Sequence, residues 1–393
     1  MRSGPKDFIL RLINTLAGKA GRVLHKPRKA LNPLADRLLV DALRMAELPS
    51  PAPGEEPRAA FVLERLKNFN LLPAVTDSGS ILVRLHSDRS VNEEPVLLFT
   101  DLGSKRWHPS DSLARLDADT ASGAGLSDSL GPAALLQTAE NYSSGIFQGS
   151  RDLLLLFTAR SLDDPEINFD SILHTPLNRP LAAVGVRGLS LDRLIRPVGS
   201  YRLKTTVSTE KSEASNRVTE TLIDMARTLM GITWDTEGKT KLFIHHIEAG
   251  TVYGPAPAEG ILDVEIESSD SGLLDLAMNA VKATAEKIGE ASHLKSETVL
   301  LSFTPPGNPE KSAGLFDVLR RLTKEMHIKT TEENGADPAS FFTADGIPAL
   351  SLGIALGREG IKRDVIELDS VEKGRRILER LIMEAGAAVK NAG

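Results

Sequence analysis

Cysteine is absent from the 393-residue chain, which excludes disulfides, thiolate metal ligands and a thiol nucleophile. Long apolar runs are missing as well: no stretch reaches the roughly 18 residues that a membrane-spanning helix needs. There is no excess of basic residues. Lys and Arg number 47 against 53 Asp and Glu, a net charge of −6, so the chain carries no general nucleic-acid signal. Neither a P-loop nor a glycine-rich coenzyme fingerprint occurs. The lack of cysteine agrees with a reducing compartment, and a cytoplasmic location is the expectation. What is present is ordinary globular material, 41% hydrophobic, in a chain long enough for about two domains with sizeable cores.

Residues 1–33 read as a basic extension. Arg2, Lys6, Arg11, Lys19, Arg22, Lys26, Arg28 and Lys29 stand against Asp7 alone, a balance of +7 over residues 1–30. Phe8, Ile9, Leu12, Ile13 and Leu16 recur at helical spacing. Such a segment can pack on the body with its basic face solvated. It can also lie weakly on an acidic membrane surface or a partner, or serve as a targeting peptide.

Helical patterns follow at 34–48 and 55–68, separated by the proline-rich turn at 49–54. Strands are expected at 81–85 and 95–99. The second of these opens the stretch around which the chain is organised, PVLLFTDLGSKRWHPSDSLARLDADTASGAGLSDSLGPAALL at 95–136. Its apolar run ends at Thr100, Asp101, Leu102 and Gly103. Gly123, Gly125 and Gly131 then bracket Asp128, and a helix is expected from Pro132 to about 141. A buried strand with polar residues at its carboxyl end is how α/β proteins build sites. This one offers a single carboxylate and no imidazole, which is thin for metal chemistry. His108 is a lone loop histidine, whereas zinc needs three or four converging ligands, so it reads as a surface or packing residue. A second buried strand at 153–157 runs into Asp163 and Asp164, which suit a solvated loop or a helix cap.

From Tyr201 the texture changes. A strand at 201–207, a helix at 213–229, strands at 242–246 and 261–266, a helix at 273–288 and a strand at 298–303 make a two-layer α+β unit. His245 and His246 are adjacent in a strand and are expected to face opposite sides, which makes them a poor pair for one metal and structural in role. After Pro309 come a helix at 312–326, a turn feeding a strand at 346–353, and a closing helix at 370–385.

These stretches resemble the M20 family of zinc-dependent exopeptidases and amide hydrolases. The strand end at 97–103 is similar to the family's LLxGHxDxV, and the segment around Asp128 to its GRGxxDxKGG. IEAGTVYGPAPAEGILDVEIES at 247–268 resembles the lid signature IEGGTAxNVVPAEAxLxxxIRS, and GIPALSLG at 346–353 resembles GIPAVxLG. The resemblance implies an α/β, zinc-exopeptidase-like mixed sheet sandwiched by helices, built from 34–200 and 307–393. It also implies an inserted α+β lid and dimerisation domain at 201–306, with two metals between the two domains.

Carried over residue by residue, the family's first histidine becomes Asp101 and the aspartate two positions on becomes Gly103. The bridging aspartate survives as Asp128. Ser161 and Leu162 fall where a glutamate pair is expected, unless a two-residue slip puts Asp163 and Asp164 there. Arg187 takes the place of the next carboxylate; an ion pair with Asp128 and a surface position both remain open for it. Gly360 falls on the final histidine. Asp337 lies in a segment similar to the family's GGTDA, where it can cap a helix or hold a loop. In the lid, Glu213, Gly254 and Glu267 stand for a histidine, an asparagine and an arginine that face substrate.

One surviving ligand cannot hold a catalytic zinc. The expectation is therefore a non-catalytic M20-like protein with no catalytic, cofactor or metal residues. It would bind a small molecule or peptide, or act structurally, as a homodimer through the lid and without nucleic acid. One alternative is an active peptidase or amide hydrolase with zinc or another divalent metal in an atypical site. Another is a metal-free activity with Asp101, Asp128, Asp163, Asp164 and Asp337 as acids and His108 as base. Fold analogy does not choose the ligand.

Overall fold

A computed structural model describes residues 33–51, 54–87, 94–104, 113–147, 149, 151–160, 169, 178–209, 216–234, 239–250, 256–360 and 362–390. The basic segment at 1–30 lies outside the described residues, as do His108, Ser161, Leu162, Asp163, Asp164, Glu213 and Gly254.

The first part of the chain runs α1 (Pro33–Ala46), α2 (Glu56–Asn68), β1 (Ala74–Val75), β2 (Ile81–Leu85), β3 (Val96–Asp101), β4 (Arg115–Leu116), β5 (Thr120–Gly123), α3 (Leu126–Ser143), β6 (Leu153–Thr158) and β7 (Ala182–Arg187). Next come β8 (Arg193–Ser208), α4 (Arg217–Met230), β9 (Thr240–Ala249), β10 (Glu259–Ser268), α5 (Ser271–Ala291) and β11 (Lys295–Thr304). The last part has a 3₁₀ turn at Pro309–Ser312, α6 (Ala313–Glu325), β12 (Thr331–Ala336), α7 (Ala339–Ala344), β13 (Ala349–Gly353), β14 (Gly357–Arg358), β15 (Asp364–Glu367) and α8 (Leu368–Lys390).

The main sheet has the order β1-β2-β6-β3-β7-β13. Its β6, β3, β7 and β13 are parallel, while β1 and β2 are antiparallel. Strands covered on both faces read as continuous apolar runs, and β6 is buried along its whole length. Alternate residues feed two cores. Val96, Leu98, Leu153 and Leu155 pack with the helices α1, α2, α3, α6 and α8. Leu97, Phe99, Leu154 and Leu156 pack on Phe169, Phe341 and Phe342 across the other face. A small antiparallel sheet, β14-β15-β5-β4, joins the chain's end to the segment before α3.

A second body has a core of its own, from Leu203 to Leu294, where α4 and α5 cover one face of the antiparallel sheet β11-β8-β10-β9. The strand β8 enters both bodies. Its residues 193–198 pair in parallel with β12, and residues 199–208 pair with β10 and β11. The expected strand at 201–207 therefore begins at Arg193, because β12 supplies a partner that lies far away in sequence.

Two local expectations are corrected. The helix bearing Asp128 starts at Leu126 rather than Pro132, with Gly125 in the left-handed region at φ 62° as its N-cap. Asp128 thus sits in the first turn, where a carboxylate meets the positive end of the helix dipole. Pro132 lies inside the helix and lacks only the N–H that would reach back one turn. Gly131 lets this helix close on the sheet, since a Cβ there would fall 2.4 Å from both Thr100 Oγ1 and the Val186 carbonyl.

The second correction concerns the paired histidines. The β9–β10 ladder slips between Asp263 and Val264, a bulge that sets His245 and His246 against one partner residue. His245 Nε2 then lies 2.7 Å from Glu265 and His246 Nδ1 3.4 Å from Asp263. Asp263 and Glu265 are two apart on β10, so both histidines lean to the same face rather than to opposite ones. They contact different carboxylates, which keeps them structural.

Candidate functional site

A cleft of about 360 Å³ lies between the two bodies. Its floor is the carboxyl end of β3. There Thr158 Oγ1 donates to the Thr100 carbonyl, and Thr100 Oγ1 donates to the Val186 carbonyl at 2.9 Å. These bonds lock the three parallel strands and bring Asp101 into the opening. Asp101 Oδ1 accepts the Gly103 N–H at 2.9 Å, and Asp128 Oδ2 accepts from Ser104 Oγ at 2.9 Å. Asp101, Asp128 and Asp337 line this one cleft, so three of the acids expected from the sequence come together.

Beneath the floor lies Arg58, fully buried. Its Nε donates to the Met45 carbonyl at 3.0 Å and Nη1 to the Leu102 carbonyl at 3.2 Å. Nη2 reaches Ser129 Oγ at 3.0 Å and the Gly125 carbonyl at 3.5 Å. Burial lowers its pKa to about 10, and the charges of Asp128 and Asp101 work against that fall. Glu55, also buried, accepts the Gly54 and Arg160 N–H groups. A side chain at Gly103 would start 3.4 Å from an oxygen of Asp101 and 3.4 Å from one of Glu55.

Arg187 pairs with Asp337 at 2.8 Å, without its N–H aligned on the oxygen, and not with Asp128. The strand β7 carries it to the mouth of the cleft beside β13, whereas Asp128 belongs to the floor. Asp337 is buried, and its Oδ1 accepts from Ser351 Oγ at 2.7 Å and the Ala339 N–H at 2.8 Å. The Asp337 side chain thus caps α7, as one sequence reading allowed. Asp364, fully buried, accepts from Ser127 Oγ at 2.6 Å, the Ser127 N–H at 3.1 Å and the Gly360 N–H at 3.3 Å. A Cβ at Gly360 would fall 2.2 Å from the Arg363 carbonyl, so that backbone must shift before a side chain fits.

The second body contributes Ser200, Arg202, Ser302 and Thr304 to the cleft wall. Arg202 Nε donates to Glu265 at 3.1 Å. Glu267 turns to the first body instead, accepting the Ala336 N–H at 3.2 Å. Desolvation raises the Glu267 pKa, and the bond from Ala336 works the other way.

A pair of divalent metals does not fit this donor set. Among the described residues no group of three or more His, Asp or Glu side chains could hold a metal ion. The positions matched to two of the family ligands are Gly103 and Gly360, and the positive charge of the buried Arg58 already acts on the two floor carboxylates. Cation repulsion and missing donors act together there. Sequence reasoning missed Arg58, although a signal was available: Arg58, Val62 and Leu66 are four apart and share the buried face of α2.

The architecture is that of M20-type peptidases and amidohydrolases. Three solved structures illustrate the likeness. Dug1p, a dipeptidase from Saccharomyces cerevisiae, superposes with a TM-score of 0.69 at 14% identity, covering 89% of this chain and 96% of its own. The aminopeptidase PepT from Bacillus cereus gives 0.64 at 11%, covering 90% and 99%. The Bacillus subtilis protein YXEP, a dinuclear metal-binding peptidase of the M20 family, gives 0.58 at 11%, covering 90% and 98%. At such identities the likeness is one of fold. Neither a protein-family model nor a curated protein sequence matches the chain.

Arg58→Met is expected to destabilise the protein by about 3–5 kcal/mol, since it leaves the Met45, Leu102 and Gly125 carbonyls and the Ser129 hydroxyl without their buried donor. Urea denaturation with a fluorescence readout checks this; a loss below about 1 kcal/mol would show that the guanidinium is dispensable. For Glu267 the sign follows from the raised pKa. Folding favours the protonated form, so its stabilising contribution is lost as pH rises through the folded value. Glu267→Gln keeps the acceptor for Ala336. The variant should melt higher than the parent at neutral pH, with the gap closing as pH falls below the ordinary value of 4.5.

Proposed function

We propose that the protein is a non-catalytic, M20-like ligand-binding protein whose cleft receives a small polar molecule between the two bodies. One observation carries this reading: the charges of the cleft are matched by protein groups. Asp337 pairs with Arg187 and Glu265 with Arg202, and the field of the buried Arg58 acts on Asp101 and Asp128. Hydrolysis would need a polarised water, a base to take its proton and donors for the developing oxyanion. Among the described residues that line the cleft there is no histidine, and the carboxylates there already hold hydrogen bonds or ion pairs. On this reading residues 201–306 act as a fixed wall for the ligand.

Two measurements on protein purified without chelator test the proposal. Elemental analysis should find less than about one-tenth of a metal equivalent per chain. Dipeptides and N-acyl amino acids should not be turned over after addition of zinc, cobalt or manganese. Two bound equivalents together with metal-dependent turnover would overturn it in favour of an active hydrolase.

We further infer that the protein pairs with a second copy through β11. This strand lies at the edge of its sheet, and Val299, Leu300 and Leu301 on it are 41%, 44% and 46% exposed. An open apolar edge is a template for pairing. Light scattering should give twice the 42.4 kDa of one chain, and Leu300→Lys should return it to the single-chain mass. A single-chain mass for the parent at micromolar concentration would rule this out.

A further inference from the structure

Three helices of the first body share one end far from the cleft. Arg58, at the start of α2, bonds Met45 at the end of α1 and Ser129 at the start of α3. Arg65, in the last turn of α2, bonds Asp41 of α1 at 3.0 Å and lies 3.9 Å from Glu140 of α3. Arg37, near the start of α1, bonds Glu140 at 2.9 Å. So α2 and α3 run the same way and α1 runs against them. The start of α1 gathers with the ends of α2 and α3, and the 18 residues of α3 set that end about 27 Å from the helix start that carries Asp128.

Large apolar side chains stand in water just past these helix ends. Leu72, four residues beyond α2, is 94% exposed, and Ile146, three beyond α3, is 59% exposed. Val75, 56% exposed, belongs to β1. That strand pairs only with β2 among the described residues and leaves an edge of the main sheet open. Isolated exposed apolar side chains are ordinary. Three of them around one point of chain entry, beside an open strand edge, make a surface for a partner.

The chain that enters there is 32 residues long before Pro33. Its Phe8, Ile9, Leu12, Ile13 and Leu16 recur at a spacing that places them in one stripe of a helix. The residues between Leu16 and Pro33 can span up to roughly 55 Å, so the stripe is within reach of all three side chains. Tethering also gives the segment a local concentration that a free partner does not match. The charges have the right sign: with +7 on residues 1–30 and −6 on the whole chain, the remainder carries −13. We propose that residues 1–32 dock back on this surface, setting the apolar stripe against Leu72, Val75 and Ile146 and closing the sheet edge at β1. The segment thereby protects the edge from pairing with other chains. This contact lies apart from the cleft and does not depend on what the cleft binds.

Because the chain has no cysteine, a single introduced thiol reports on this surface. Full-length Ala74→Cys places one on β1, between Leu72 and Val75, and Ile146→Cys places one beyond α3. Maleimide labelling of each protein is followed by mass spectrometry, with and without the added substitutions Ile9→Asp and Leu12→Asp. The two aspartates should undo the contact and speed labelling roughly tenfold, as expected of a docked segment that otherwise opens only locally. Ile146→Cys stands in should Ala74→Cys fail to fold. Equal rates with and without the aspartates overturn the proposal. Protection that is lost on dilution across the micromolar range assigns the cover to a second copy and overturns it too. So does protection that appears only when vesicles of phosphatidylserine and phosphatidylcholine are present, which would assign the stripe to an acidic membrane surface.

Discussion

The guanidinium of Arg58 ties together four segments that are far apart in sequence. It holds the end of α1 through Met45, the end of β3 through Leu102, and the start of α3 through Gly125 and Ser129. Burying such a cation costs several kcal/mol of desolvation. Hydrogen bonds from each of its three nitrogens and the negative field of Asp101 and Asp128 offset that cost. A second cation placed between those carboxylates would add to the positive charge of Arg58, whose field they already feel.

The rest of the cleft repeats the theme at its rim. Arg187 meets Asp337, and Arg202 meets Glu265, each a charge brought by one element and answered by another. A site that works on water leaves a base or an electrophile unsatisfied, ready for the transition state. Here Arg187 and Arg202 each have a carboxylate partner.

Much of the fold was legible because it depends on local pattern. The apolar runs at 81–85 and 153–157 became β2 and β6 nearly residue for residue, and the change in texture at Tyr201 coincides with residues that feed a separate core. What was not legible depends on partners far away in sequence. The strand β8 starts at Arg193 because β12 pairs with it across more than a hundred residues. The two histidines share a face because of a ladder slip that no single-strand rule anticipates. Arg187 found Asp337 rather than Asp128 because Asp337 is bonded to Ser351 on β13, the strand beside β7. In the candidate site, the losses at Gly103 and Gly360 were visible by matching. Arg58 was written in the helical spacing of α2, hidden by the habit of assigning arginine to the surface.

The claim that protein charges stand where a metal pair would be is tested most directly by anomalous diffraction at the zinc absorption edge. Crystals would be grown from protein incubated with excess zinc. The expected map shows no anomalous peak between Asp101 and Asp128, with Arg58 still bonded to Leu102 and Ser129. Two peaks bridged by Asp128 would contradict the claim.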